Sequence, residues 1–168
     1  MDAIETILTR RSIRSFTAQP VARADLETLL RAAMAAPSAG TARPWHFVVI
    51  TDRTRLDAIA AEHSSAHMLL EAPLAILVCA DLTQTRPDRW MQDCSAATQN
   101  LLLAAHALGL GAVWIGVQPV AERIALAKRT AALPEPIEPV AIVAVGYPNE
   151  TPEAADRFMP ERIHFETW

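Results

Sequence analysis

The sequence predicts one compact domain, spanning residues 1–168, in which helices flank a β-sheet. Three observations carry that expectation. Segments with a helical apolar period alternate with short valine-rich runs. No internal repeat or low-complexity linker divides the chain. Hydrophobic residues make up 51% of it, enough to build a sizeable core.

In chain order, residues 3–10 place Ile4, Ile7 and Leu8 on one helical face. Leu26, Leu29, Leu30 and Ala33 repeat the period through residues 24–36, and Pro37 stops that helix. Residues 37–44 form a loop of small and polar side chains, and residues 46–50 read as a strand. Asp52 can cap a helix reaching Glu62, whereas residues 63–71 read as either a helix or a mobile connection. Residues 74–80 are a second, buried strand. Residues 88–108 form the longest helix, with Met91, Cys94, Ala97, Leu101, Ala105 and Leu108 along one stripe. A third strand follows at 112–117, a helix at 120–129, and a fourth strand at 140–146 behind a proline-rich connection. This order allows a sheet flanked by helices and leaves the strand directions open. The tail, residues 147–168, ends in Ile163-His164-Phe165-Glu166-Thr167-Trp168, an apolar end expected to dock, with a partner chain as one possible surface.

Charge and composition narrow the function. A net charge of −4 and a pI near 5.7 argue against a dedicated nucleic-acid binder. Two cysteines, Cys79 and Cys94, without C-x-x-C spacing favour buried free thiols over a disulfide framework, as fits a cytoplasmic protein. Arg10 and Arg11 arrive before any apolar stretch long enough for a signal peptide. Residues 95–121 carry no Asp, Glu, Lys or Arg. Gln99, Asn100, His106, Gly109 and Gly111 interrupt them, so a buried helix running into a buried strand is expected rather than a membrane span.

Several chemistries find no support. Gly109-Leu110-Gly111 sits between a helix and a strand, the reverse of the strand-to-helix turn that places pyrophosphate on a helix N-terminus. No phosphate-binding G-x-x-x-x-G-K-[ST] loop and no G-x-S-x-G nucleophile elbow occur. His63 and His67 are four apart, as zinc ligands often are, but a third ligand is missing, and they read as two partly exposed histidines near a pocket. Arg10-Arg11-Ser12-Ile13-Arg14 is more informative. Guanidinium groups and a hydroxyl are the donors a phosphate monoester needs, although arginines at a helix end also simply complement the dipole and face water.

Read together, five blocks carry a resemblance. Arg10-Arg11-Ser12-Ile13-Arg14-Ser15-Phe16 is similar to the R-R-S-x-R-x-[FY] opening of the FMN-binding nitroreductase family. Pro37-Ser38-Ala39-Gly40-Thr41-Ala42-Arg43-Pro44-Trp45 resembles its P-S-A-x-N-x-Q-P-W loop, and the strand after it continues the likeness. The segments at 93–105, 109–116 and 143–148 follow in the family's order.

The resemblance implies an α+β fold with a central, mostly antiparallel sheet flanked by helices, in a homodimer with an exchanged C-terminal tail and FMN at the interface. Arg10, Arg11 and Ser12 would hold the phosphate and ribityl chain, with Arg157 as a further phosphate contact. Arg14 would lie at the N1/C2 edge of the ring, where a fixed cation favours reduced flavin. Pro37, Ser38 and Ala39 would come from the other subunit, and Thr41 would stand at the flavin's pyrimidine edge. Trp114, Ile115 and Gly116 would bring backbone groups near N5, with Trp114 and Ile115 also readable as plain core strand. Residues 63–71 and 82–91 would shape the pocket above the ring, with Trp90 and Met91 either as apolar walls or as structural packing.

No catalytic side chain and no metal are implied, since the flavin carries the chemistry. The implied activity is NAD(P)H-dependent ping-pong reduction of nitroaromatics, quinones or related small electrophiles. Alternatives are other flavin chemistry (dehalogenation, azoline oxidation, flavin breakdown) or non-catalytic FMN storage. Two departures bear on this: Thr41 stands where the family has asparagine, whose two-point contact a hydroxyl cannot reproduce, and Arg43 stands where it has glutamine.

Overall fold

Two continuous apolar runs build the centre of the sheet. The computed structural model describes residues 2–86 and 88–168. It contains strands β1 (Trp45–Ile50), β2 (Leu74–Asp81), β3 (Gly111–Gly116) and β4 (Ile137–Gly146), in spatial order β1-β2-β4-β3 with every pair antiparallel. Helices α1 (Ala3–Thr9), α2 (Arg23–Met34), α3 (Arg53–Glu62), α4 (Trp90–Ala107) and α5 (Ala121–Ala131) surround it. The element order agrees with the sequence reading, and the pairing supplies the strand directions that periodicity leaves open.

Because side chains alternate across a strand, β2 feeds two cores at once. Ala75, Leu77 and Cys79 join Leu56 and Ile59 of α3 with Leu126 and Ala127 of α5. Leu74, Ile76, Val78 and Ala80 join Leu29 and Ala33 of α2 with Cys94, Ala97, Leu101 and Ala105 of α4. Both faces are covered, so β2 reads as an unbroken apolar run. Each fully buried Leu or Ile contributes about 1.5–3 kcal/mol. Both cysteines are free and buried, and burial pushes each thiol up to about 12.

Four local differences have physical causes. β4 begins at Ile137 and runs through Pro139, inside the expected connection. The register skips a residue there: Val78 faces Ala141 and Cys79 faces Pro139. A proline without an N–H is tolerated in a central strand at such a bulge. α4 starts at Trp90 rather than residue 88, since Asp88 is left-handed, with φ 70°. Residues 63–71 are neither a full helix nor a loose connection but a packed turn with a 3₁₀ segment, His67–Leu70, whose Met68 and Leu69 are buried. The fourth concerns α1, whose apolar face is turned outward: Ile4, Ile7 and Leu8 are exposed, and Thr6 is its buried residue.

The tail from Pro148 lies on the surface, with Phe158, Ile163, Phe165 and Trp168 exposed. Among the described residues no helix is long and apolar enough to cross a membrane.

Candidate functional site

The end of α1 gathers cations. Arg10 caps the helix, and its pKa is lowered by burial first and then by Arg157 and Arg11 beside it. Arg11 explains how the tail comes back to this point. Its Nη1 donates to the carbonyls of Leu8 and Arg10, each at 2.9 Å, while Nε and Nη2 donate to Glu153 O and Ala155 O, each at 3.2 Å. Arg11 therefore fastens the tail, and Arg157, two residues beyond Ala155, is carried to Arg10. None of the ion pairs among the described residues involves these three arginines. His106, in the last turn of α4, lies 2.8 Å from Thr9 Oγ1. Its pKa is lowered by burial and then by Arg10 and Arg11, so it reports the same positive field.

Beyond Ser12, which is partly buried, two carboxylates hold the backbone. Glu150 accepts from the N–H groups of Arg14 and Ser15, and Glu71 Oε2 accepts from Phe16 N and Ser15 Oγ, each at 3.1 Å. The Arg14 side chain is left exposed.

Residues 37–44 sit at the opposite end of α4. Asp93, in the first turn of that helix, accepts from Ala39 N at 3.0 Å, and Ser38 Oγ accepts from Arg43 N at 3.0 Å. Gly40, Thr41 and Arg43 all have left-handed backbones, with φ of 61°, 57° and 50°. This tight coil exposes Pro37, Gly40, Thr41 and Arg43. The Arg86 guanidinium packs onto Gly40, whose missing Cβ would sit 3.1 Å from Arg86 Nε. Pro87, within the expected pocket segment 82–91, lies outside the described residues; Trp90 and Met91 pack partly buried against the α2/α4 core.

The third part is the open edge of β3. Ala112 O accepts from Ile13 N, and Gly116 O accepts from His63 Nε2 at 3.0 Å and Arg123 Nη1 at 3.2 Å. Both carbonyls thus point away from β4, and by alternation so do the N–H groups of Trp114 and Gly116. The strand's glycines divide by role. A Cβ on Gly111 would meet Ile13 at 2.7 Å, whereas one on Gly116 would meet only Arg123, at 4.0 Å. Gly111 is demanded by packing; Gly116 leaves backbone open to a flat ligand. Ile115 is core at 2% exposure, while Trp114 is 36% exposed and is not plain core.

The structure brings Arg10, Arg11 and Arg157 together, and keeps Pro37, Ser38, Ala39 and Thr41 together elsewhere. Asp93 and His106 mark the two ends of α4, about 20 Å apart along its axis, so the two groups do not meet within one chain. Two residues escaped the sequence reading. Asp93 is buried, and its Oδ2 has no partner among the described residues; it is the one charged residue in α4, a legible signal. His63, expected to be partly exposed, is 2% exposed and bonded to Gly116.

The sequence matches the model of the nitroreductase family over residues 7–66 and 57–147. The chain belongs to the nitroreductase family. A Methanothermobacter thermautotrophicus protein provisionally named NADH dehydrogenase/NAD(P)H nitroreductase is 46% identical over 100% of this chain and 88% of its own length. Among solved structures, a provisionally named Desulfovibrio desulfuricans nitroreductase in complex with FMN superposes with a TM-score of 0.86 at 33% identity, covering 100% of this chain and 99% of that one. The Vibrio harveyi NADPH:FMN oxidoreductase complexed with NAD+ gives 0.87 at 28%, covering 98% and 77%. These nitroreductase relatives share the antiparallel sheet and its helical layers.

Proposed function

We propose that this chain is an FMN-dependent NAD(P)H oxidoreductase, reducing nitroaromatics, quinones or related small electrophiles by ping-pong hydride transfer, and that it acts as a homodimer. The observation that carries the reading is the convergence of Arg10, Arg11 and Arg157 near the start of β3, whose outer edge runs on to a side-chain-free end at Gly116. The donor set fits the cofactor: guanidinium groups for a phosphate, backbone N–H for a ring edge. Bound FMN would supply the hydride acceptor and its return to an oxidant.

The chain's own residues would do the holding. Arg10 and Arg157, with Ser12 beside them, neutralise the phosphate, and Arg11 keeps Arg157 in place through the tail. Arg14 offers an exposed cation to the ring's pyrimidine edge. The coil Pro37-Ser38-Ala39-Gly40-Thr41, held by Asp93, covers a partner's ring rather than its own, because α4 separates it from Arg10. A two-fold pairing along α4 would bring each coil to the other chain's arginines. The apolar groove lined by Ile7, Ala35, Leu103 and Ala107, together with exposed Ile4, Leu8 and Met34, gives that pairing its surface. The exposed apolar tail would then exchange onto the partner.

The test is an anaerobic titration of FMN-loaded protein with NADH and with NADPH, followed at the flavin's visible band. Bleaching, then recovery on adding a nitroaromatic or quinone, is expected. Flavin that binds but stays oxidised with both donors would overturn the oxidoreductase reading in favour of storage or other chemistry.

A further inference from the structure

Gly116 ends an edge strand, where the ladder that immobilises a residue runs out. Its N-terminal peptide plane is held by Ile115, buried in the ladder with β4. Past it, Val117 is buried and Gln118 N donates to Val140 O of β4 at 3.2 Å. Among the described residues, however, the Gly116 carbonyl itself makes no bond to β4, and a glycine is the residue freest to rotate there.

Two donors from two different helical elements close that freedom. His63, the C-cap of α3, reaches Gly116 O with Nε2 at 3.0 Å, and Arg123, in the first turns of α5, reaches it with Nη1 at 3.2 Å. The imidazole is itself locked. Its Nδ1 accepts from Ser65 N at 3.2 Å, its backbone N–H donates to Ile59 O at 2.9 Å, and its carbonyl accepts from Ala66 N at 2.9 Å. With Nδ1 acting as acceptor, the ring proton sits on Nε2 and points at the carbonyl. A buried imidazole with both ring nitrogens in use is a built component, not a packing accident.

The consequence is chemical. Gly116 turns both an acceptor and a donor toward the open edge of β3. The clamp occupies the acceptor and leaves the N–H as the group presented to a ligand. We propose that His63 and Arg123 are positioning residues of the flavin site, clamping the Gly116 carbonyl so that this residue meets the ring's redox edge as a fixed donor. The inference rests on the flavin reading above. It gives His63 a role that the metal-ligand spacing of His63 and His67 does not.

The experiment uses [1-13C]glycine labelling, which yields five carbonyl signals because the chain has five glycines. In flavin-free protein the Gly116 signal should move in His63→Phe and in Arg123→Met, with the other four unmoved, and return toward wild type in His63→Gln, which restores a donor. In FMN-loaded protein the same two variants should shift the flavin's midpoint potential. They should also slow its reduction by NADH roughly 10- to 100-fold, the scale of a misplaced reacting group, with little change in FMN affinity. Arg123 is only partly buried, so Arg123→Met serves if His63→Phe does not fold. Variants that load FMN with wild-type potential and reduction rate overturn the clamp alone. A wild-type chain that binds no FMN overturns the flavin reading and the clamp with it.

Discussion

The two helical layers of the sheet finish differently at their outer surfaces. The α3/α5 layer is closed against water by charge: Arg53 pairs with Asp57 at 2.9 Å, Arg129 with Glu62 across the two helices, and Arg55 donates to Thr130 O. The α1/α2/α4 layer turns apolar side chains outward, with Ile4 at 66%, Ile7 at 54% and Leu8 at 66% exposure. Both layers bury equally good inner faces, so the difference is not one of core quality. One side of the chain is closed by charge and the other leaves an apolar face exposed, the face that the proposed dimer would cover, and the candidate phosphate-binding arginines lie on that exposed side.

Both layers pack on the same sheet, so damage to its centre should have the largest effect. Leu77→Ala, at a side chain 1% exposed on β2, should cost about 2–5 kcal/mol in denaturant unfolding. A loss well below that would mean the sheet is not the common core. Next, Ile7→Glu should turn a sedimenting dimer into a monomer, while Ala61→Glu on the exposed side of α3 should leave the assembly unchanged. Equal behaviour of the two would erase the distinction between the layers. Arg10→Ala should weaken FMN binding by about 1.5–3 kcal/mol, the usual worth of a hydrogen bond to a charged group; an unchanged dissociation constant removes Arg10 from the phosphate site.

The smallest effect is at His106. Its folded pKa lies below the ordinary value of 6.5 from burial and from Arg10 and Arg11. The unfolded chain therefore binds more protons there as pH falls through that value, and the group favours unfolding on the acid side. A phosphate among those arginines offsets their field, so His106 should titrate at higher pH, by NMR, in the FMN-loaded protein. A titration that does not move places the phosphate elsewhere.

Much of this was legible. Valine-rich runs mark the strands, and their order survives unchanged. Pro139 hid the start of β4, because a proline signals a break unless the opposing register skips a residue, and that is a property of the pairing. In α1 the expected helical face of Ile4, Ile7 and Leu8 is present, but periodicity cannot say whether such a face meets its own core or another surface. The arginine cluster was readable as a motif, whereas Arg157 joins it only through Arg11's bonds to tail carbonyls. His63 was invisible as a partner of Gly116, since 53 residues separate them and no spacing rule links a helix cap to a strand end.

If each FMN site draws on two chains, as proposed, a mixed dimer can be built with one intact site. One chain would carry Arg10→Glu and a differently tagged chain Ala39→Arg, each pure variant being expected to lose FMN. The tag-selected heterodimer should hold about one FMN with near wild-type affinity, because one of its two sites receives no substitution. A heterodimer that holds none would mean that Arg10 and the coil around Ala39 serve the same chain's site, contradicting the shared-site account.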